Sequence, residues 1–336
     1  MSKTLQTLIL VVALFGLMAL TACTREITTV QQVDPGASNC FNCHTDDPAT
    51  DQYGLVNKQM EWSYSGHGIG AYVGYAGGRN GCSGCHSGAG FVARLDGETA
   101  VPYATTIGCW NCHAPHSNGD FALRVTTAQP LASGQSMDMG ISNICTACHV
   151  GRTDATVACA PDTNGVAHIT STHWGAHHGP QGDLFYGYNG YEYDGVTYNR
   201  AVPASHNTDE ARCFGCHGAA NATADLGGHS FVMVNGAGAH NVAACNNCHS
   251  GLTDFDVNGV QTETEELLAE LHAILEPLGL LDSAGHPLVS SGTPDEVGAA
   301  WNYIMVEEDR SLGVHNPEYV HDLLQASIDA LSVPVK

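Results

Sequence analysis

Cys-x-x-Cys-His occurs six times in this chain of 336 residues, as Cys40–Cys43–His44, Cys82–Cys85–His86, Cys109–Cys112–His113, Cys145–Cys148–His149, Cys213–Cys216–His217 and Cys245–Cys248–His249. One Cys-x-x-Cys pair would be ambiguous, because zinc sites and redox dithiols use the same spacing. Here every such pair is followed at once by histidine. That is the signature of covalent c-type haem attachment, in which two thiols form thioethers with the two vinyl groups and the histidine ligates the iron as proximal ligand. The expected cofactors are therefore six covalently bound haems c. The motifs take 12 of the 14 cysteines, so the cysteine count does not describe a disulfide framework. Of the other two, Cys159 reads as a free thiol, and Cys23 belongs to the N-terminal segment.

The second axial position of each iron also needs a donor. The chain has 19 histidines; with the six proximal ones set aside, 13 are left for six distal sites. This surplus points to bis-histidine iron, which needs no ligand change on reduction and has a lower potential than His/Met iron. The preferred distal candidates are His67, His116, His177, His178, His206 and His229. His116 follows its own motif too closely to reach that iron, so it is assigned to a neighbouring one. The adjacent His177 and His178 point different ways and suit two haems. His173, His240 and His315 form a reserve, whereas His272, His286 and His321 read as surface residues. No residue is assigned a catalytic role.

The N-terminus reads as a targeting segment. Lys3 precedes an apolar run from Leu8 to Leu20, too short to span a bilayer, and Leu20-Thr21-Ala22-Cys23 resembles a bacterial lipoprotein box. Residues 1–22 are then a lipoprotein signal, Cys23 the lipidation site, and 23–38 a linker. Thr24 at the next position favours the outer membrane, on its periplasmic or cell-surface face. Several acyl chains acting together would hold the protein firmly. Export fits the motifs as well, because c-type haem is attached outside the bacterial cytoplasm.

Aromatic residues are only 7% of the chain and glycine reaches 39 residues, which is lean material for a side-chain core; haem macrocycles can fill the interior instead. The net charge of −23 disfavours nucleic acid and anionic surfaces as partners. From 39 to 255 the chain is punctuated by Gly, Asn, Pro and His, so the expected fold is mostly irregular coil with short α-helices wrapped around a chain of haems. The alternating aromatic segment Tyr186–Arg200 fits a small β-hairpin on its Asp-Gly turn. The section 256–336 differs. Leu267, Leu268, Leu271, Ile274 and Leu275 form a helical stripe within Thr262–Leu278, and Pro294–Glu308 and Pro317–Leu331 read as two more helices, the last behind an Asn316 cap. It carries no haem motif and reads as a helical buttress packed on the haem-binding part.

Three segments carry a resemblance: Cys109-Trp-Asn-Cys-His-Ala-Pro-His116-Ser-Asn-Gly, His177-His178-Gly-Pro-Gln-Gly-Asp183, and Gly313-Val-His-Asn-Pro-Glu-Tyr319 followed by Leu323-Leu324. With the motifs, they make the chain similar to the outer-membrane multihaem cytochromes of metal-respiring bacteria, including those that polymerise into nanowires. That resemblance implies a continuous chain of bis-His haems, parallel and T-shaped pairs alternating. It also implies electron transfer to other cytochromes and to extracellular acceptors such as ferric or manganic oxides, with no bond chemistry. Filament-forming members share distal histidines between subunits, so self-assembly is a further partner reading; a lipidated N-terminus fits a membrane-tethered role better than a free extracellular filament. The other class to weigh is a nitrite- or hydroxylamine-type reductase, which needs one iron with an open position. The Cys-x-x-Cys-Lys haem of many such enzymes is absent, and Lys occurs only at positions 3, 58 and 336. The Gly-Val-His-Asn-Pro segment keeps that alternative open.

Overall fold

The computed structural model describes Asp47, Ala49 and residues 54–98, 103–114 and 122–332. The signal segment 1–22 with Cys23, the linker, the first motif (Cys40, Cys43, His44) and His116 lie outside the described residues.

The motif-bearing region is coil interrupted by short helices, many of them a single turn. Its composition explains this. Glycine, asparagine and proline break helical runs every few residues, so each helix ends before an apolar face can develop. The longer ones are α1 (Leu55–Ser63), α2 (Gly88–Leu95) and α3 (Gln181–Tyr186). Ser87 starts α2, its hydroxyl accepting from the Gly90 N–H at 3.3 Å. Two antiparallel strand pairs are present, Gln129–Pro130 with Ser136–Met137, and Ala167–Ile169 with Ser290–Gly292.

The small hairpin thus falls at 129–137 and not at Tyr186–Arg200. Tyr186 closes α3, and Asp194-Gly195 does form a turn, with Gly195 at φ +82°. The flanking backbone donors are claimed by side chains before a ladder can form. Tyr191 N–H donates to Asn302 Oδ1 at 2.7 Å, Tyr193 N–H to the Tyr198 hydroxyl at 2.8 Å, and Asn199 N–H to Asp322 Oδ2 at 2.7 Å.

The C-terminal section holds three long helices, α4 (Val260–Leu275), α5 (Pro294–Asp309) and α6 (Pro317–Ser332), close to where the apolar stripes place them. Their starts are capped. Asp256 Oδ1 accepts from Gln261 N–H at 2.8 Å, and Thr293 and Glu296 form a reciprocal capping box ahead of Pro294. Asn316, fully buried, accepts from Tyr319 N–H and donates to the Phe185 and Arg200 carbonyls. Helix α5 is buried nearly all round, through Val297, Ala300, Trp301, Met305 and Val306, which identifies it as the central helix of this section. Leu271 and Leu275 of α4 and Tyr319, Leu323 and Leu324 of α6 close over it, and the cluster continues into Cys159, Ile169 and Leu184. Trp301 Nε1 donates to the Asn189 carbonyl at 2.7 Å, tying the core to the chain that follows α3.

The motif region has only small clusters of this kind, Leu131–Met137–Met139–Phe185 and Phe91–Val125–Ala147. Large apolar side chains stand exposed around the second motif, among them Ile69, Tyr72 and Tyr75. Side-chain packing is therefore concentrated in the C-terminal section.

That concentration predicts where stability resides. Trp301→Ala is expected to cost about 3–5 kcal/mol by cavity formation, and Thr293→Ala about 1 kcal/mol by loss of the cap. Denaturant unfolding followed by far-ultraviolet circular dichroism measures both; equal, negligible losses would contradict this placement of the core.

Candidate functional site

Each described motif is one helical turn. The N–H of the closing histidine donates to the carbonyl of the first cysteine at 3.0 Å in Cys82–His86, 2.9 Å in Cys109–His113, 2.9 Å in Cys145–His149 and 2.7 Å in Cys245–His249, and Cys213–His217 is itself a short helix. Such a turn sends the cysteines at i and i+3 to the same side, which the spacing requires if both thiols are to reach one planar group. Small residues keep the turns tight: a Cβ on Gly215 would stand 2.2 Å from the Glu210 carbonyl oxygen. Buried polar side chains then lock one motif to the next. Asn111 accepts from Gly108 N–H at 2.6 Å and donates to the Gly88 carbonyl at 2.9 Å, and Ser142 Oγ accepts from Phe214 N–H at 3.0 Å.

All eleven described cysteines are free of disulfides. The thiols of different motifs nevertheless meet. Cys85 and Cys148 share a hydrogen bond, as do Cys145 and Cys213. Arg94 spans the first of these contacts, with Nη1 3.3 Å from Cys85 Sγ and Nη2 3.8 Å from Cys148 Sγ. The second, fourth and fifth motifs therefore form one contiguous run.

The histidines show the strongest pattern. Each described motif histidine faces a second histidine from a distant part of the chain. Ring centroids are 6.0 Å apart for His86–His177, 6.4 Å for His113–His229, 6.1 Å for His149–His67, 6.4 Å for His217–His315 and 6.2 Å for His249–His206. A metal–imidazole nitrogen bond is about 2 Å, and the ring centre lies about 1.2 Å beyond that nitrogen, so two imidazoles on opposite sides of one iron would have centres about 6.4 Å apart. All five separations fit one iron between the rings. His67, His177, His206 and His229 thus each stand opposite a motif histidine. His178 stands elsewhere, with its ring 5.1 Å from that of His177 and its Nδ1 2.6 Å from Glu308 Oε1. The left-handed backbone of His177, at φ +77°, turns the two neighbours apart. His315, a reserve candidate from the C-terminal section, is the fifth partner. The only cue to it in sequence is its place in the Gly-Val-His-Asn-Pro segment, which supplies both this ring and the Asn316 cap of α6.

The surroundings prepare these imidazoles for ligation. Burial pushes His67, His177 and His217 down to about 4, with neighbouring histidines adding to the effect, and lowers His86, His149, His206 and His229. A neutral ring is the form that binds metal. Several Nδ1 atoms have acceptors, which leaves Nε2 for the iron. His149 Nδ1 lies 3.2 Å from Gln181 Oε1 and His217 Nδ1 lies 3.1 Å from the Phe231 carbonyl oxygen. His229 Nδ1 sits 3.7 Å from Glu61 Oε2. His315 goes the other way. Burial opposes its charge, but the Asp309 carboxylate, joined by Cys213, raises it on balance. The Phe231 ring lies between the distal-side rings, 5.9 Å from His67 and 5.7 Å from His229.

Among the described residues no group of three or more His, Cys, Asp or Glu closes on a point as a bare metal ion requires. The donors are arranged as Cys pairs plus opposed His pairs. That fits a wide planar ligand with two covalent anchors and two axial bonds, and it does not fit zinc.

No family model matches the chain. It is homologous to polyhaem c-type cytochromes of Geobacter sulfurreducens. It is 27% identical to OmcB over 296 residues, covering 74% of this chain and 37% of OmcB. It is 28% identical to OmcC over 298 residues, covering 74% and 36%. The chain thus spans little more than a third of the length of these relatives. Its fold is similar to that in the crystal structure of the outer cell wall cytochrome OcwA, with a TM-score of 0.52 and 21% identity across 82% of this chain and 50% of that one. Among the described residues no helix is long and apolar enough to cross a membrane.

Burial pushes the Cys159 thiol up to about 12. If the motif cysteines are thioethers, iodoacetamide should label none of Cys82 to Cys248 in the native protein and only Cys159 after denaturation. Peptide mapping reads the result, and alkylated motif cysteines would refute the thioether assignment.

Proposed function

We propose that this chain is a six-haem electron conduit that passes electrons between other cytochromes and extracellular acceptors such as metal oxides. The observation that carries the reading is the set of five opposed histidine pairs. Haem c, when bound, supplies a one-electron ferric/ferrous couple. The chain's own residues hold it. Cys82 and Cys85, Cys109 and Cys112, Cys145 and Cys148, Cys213 and Cys216, and Cys245 and Cys248 anchor five haems, and Cys40 and Cys43 the sixth. His86, His113, His149, His217, His249 and His44 are the proximal ligands. His177, His229, His67, His315 and His206 are the distal ligands of the first five in that order, and His116 and His178 are candidates for the His44 site. At the five sites with opposed histidines a bound iron would have no position left for substrate, which supports transfer over catalysis there. The meeting of Cys85 with Cys148 and of Cys145 with Cys213 brings three attachment sites into contact, which would suit transfer between the groups they hold.

The acidic surface suits cationic or metal-oxide partners, and Cys23 anchors the chain to the outer membrane. Radiolabelled palmitate incorporation that vanishes in Cys23→Ser tests the anchor; unchanged labelling would exclude it.

The intact mass should exceed that of the processed chain by six haems, and all six irons should be low-spin and inert to cyanide. His315→Met should convert one haem to His/Met ligation and raise its potential while leaving five unchanged. A different haem count, or a high-spin iron that turns over nitrite, would overturn the reading in favour of a reductase.

A further inference from the structure

The five histidine pairs are not equivalent beyond the ring atoms. In the pair His217–His315 both outer nitrogens are held. His217 Nδ1 donates to the Phe231 carbonyl at 3.1 Å, a neutral acceptor. His315 Nδ1 lies 2.7 Å from Asp309 Oδ1, and the Asp309 side chain is fully shielded from solvent. Gln181, opposite His149, is neutral too, and the Glu61 carboxylate stands a full ångström farther from His229 than Asp309 does from His315. The Asp309 carboxylate is itself fixed. Ser311 donates to its Oδ2 through both hydroxyl and backbone N–H, and the Ser311 hydroxyl in turn accepts from the His315 N–H at 3.2 Å. Asp309 is also the last residue of α5, at the negative end of the helix dipole.

A carboxylate that accepts from the outer nitrogen of a metal-bound imidazole makes that imidazole a stronger donor and favours the more oxidised metal. Burial keeps the interaction from being screened by water. We infer that Asp309 is a positioning residue that orients His315 and lowers the reduction potential of the haem held by Cys213, Cys216 and His217, setting it apart from the haems at the His149–His67 and His113–His229 pairs, which face a neutral Gln181 and a more distant Glu61. This rests on the ligation proposed above. Its consequence is functional. That attachment site adjoins the one at Cys145, so a low potential there makes an uphill step within the contiguous run and controls the direction and rate of flow.

The test is Asp309→Asn in the full haem-loaded protein, which keeps the shape and a carbonyl acceptor but removes the charge. Potentiometric titration followed by electron paramagnetic resonance should show one haem, identified by its loss in His315→Met, become at least tenfold easier to reduce, about 59 mV for a one-electron couple. The other five should hold their positions. Near-infrared magnetic circular dichroism of the oxidised wild-type protein gives a second reading that does not need Asp309→Asn to fold. At least one haem should show the band of an imidazolate-like ligand, and His315→Met should remove it. Unchanged potentials in Asp309→Asn, a common shift of all six, or six identical neutral bis-imidazole bands would overturn the inference. The haem count and six low-spin irons stand or fall separately: six low-spin haems with no single-haem shift sinks the role of Asp309 alone, and a missing or high-spin haem sinks the ligation itself.

Discussion

Opposition of imidazoles across the chain is the constraint on which the rest of this structure depends. A Cys-x-x-Cys-His turn is local and forms from five residues. Its partner histidine is not local: His149 meets His67, His86 meets His177, His113 meets His229 and His217 meets His315. Each pair closes a loop of roughly 80 to 120 residues, whose closure entropy grows only slowly with length. Two metal–nitrogen bonds with two thioethers are strong enough to fix such loops where apolar contacts are sparse. This explains how the segment from the second to the sixth motif tolerates its glycine content and has only small packed clusters. On the ligation proposed above, order there would come from covalent and coordinate bonds in place of a side-chain core.

The C-terminal section works by the opposite physics. Helices α4, α5 and α6 bury Leu271, Trp301, Met305, Tyr319 and Leu323 in a conventional core, and within it Asn302 reaches the Tyr191 backbone and the Ser327 hydroxyl. Yet it is more than a buttress, because the end of α5 reaches the site at three places. Asp309 holds His315, Glu308 holds His178, and the Glu308 and Asp309 carbonyls accept from Gln181, whose own oxygen faces His149. A rigid helix end is a better platform for orienting ligands than a glycine-rich loop.

The features legible in the sequence were those written in short-range patterns. The Cys-x-x-Cys-His turns, the apolar stripe of α4, the Pro294 and Pro317 starts and the Asn316 cap all depend on residues within one or two turns of each other. Distal ligands are different, because nothing local distinguishes a histidine that faces iron from one that faces a carboxylate. His178 and His315 show this. His178 is adjacent to a facing histidine and pairs with Glu308, while His315 sits in a section without motifs and faces His217. The Tyr186–Arg200 segment failed for a related reason. Its alternation is that of a hairpin, but Asn302 and Asp322, distant in sequence, and Tyr198 within the segment claim its backbone donors.

Charge shows the same division between pattern and place. The net charge of −23 describes a surface that repels anions, and most of its carboxylates act there. Asp162, exposed, and Asp256 and Asp282, half-buried, illustrate them, spending their oxygens on nearby backbone N–H groups. Their fields are screened within a Debye length, so they tune encounter with partners and not individual irons. Asp309 carries the same formal charge without that screening, aimed at one imidazole through one proton. Composition therefore bears on what the protein meets, whereas a single buried carboxylate bears on how one imidazole inside it is held. Sequence reasoning reached the first because it is a sum over residues. The second is a property of one contact, made where the end of α5 comes against the loop carrying His315.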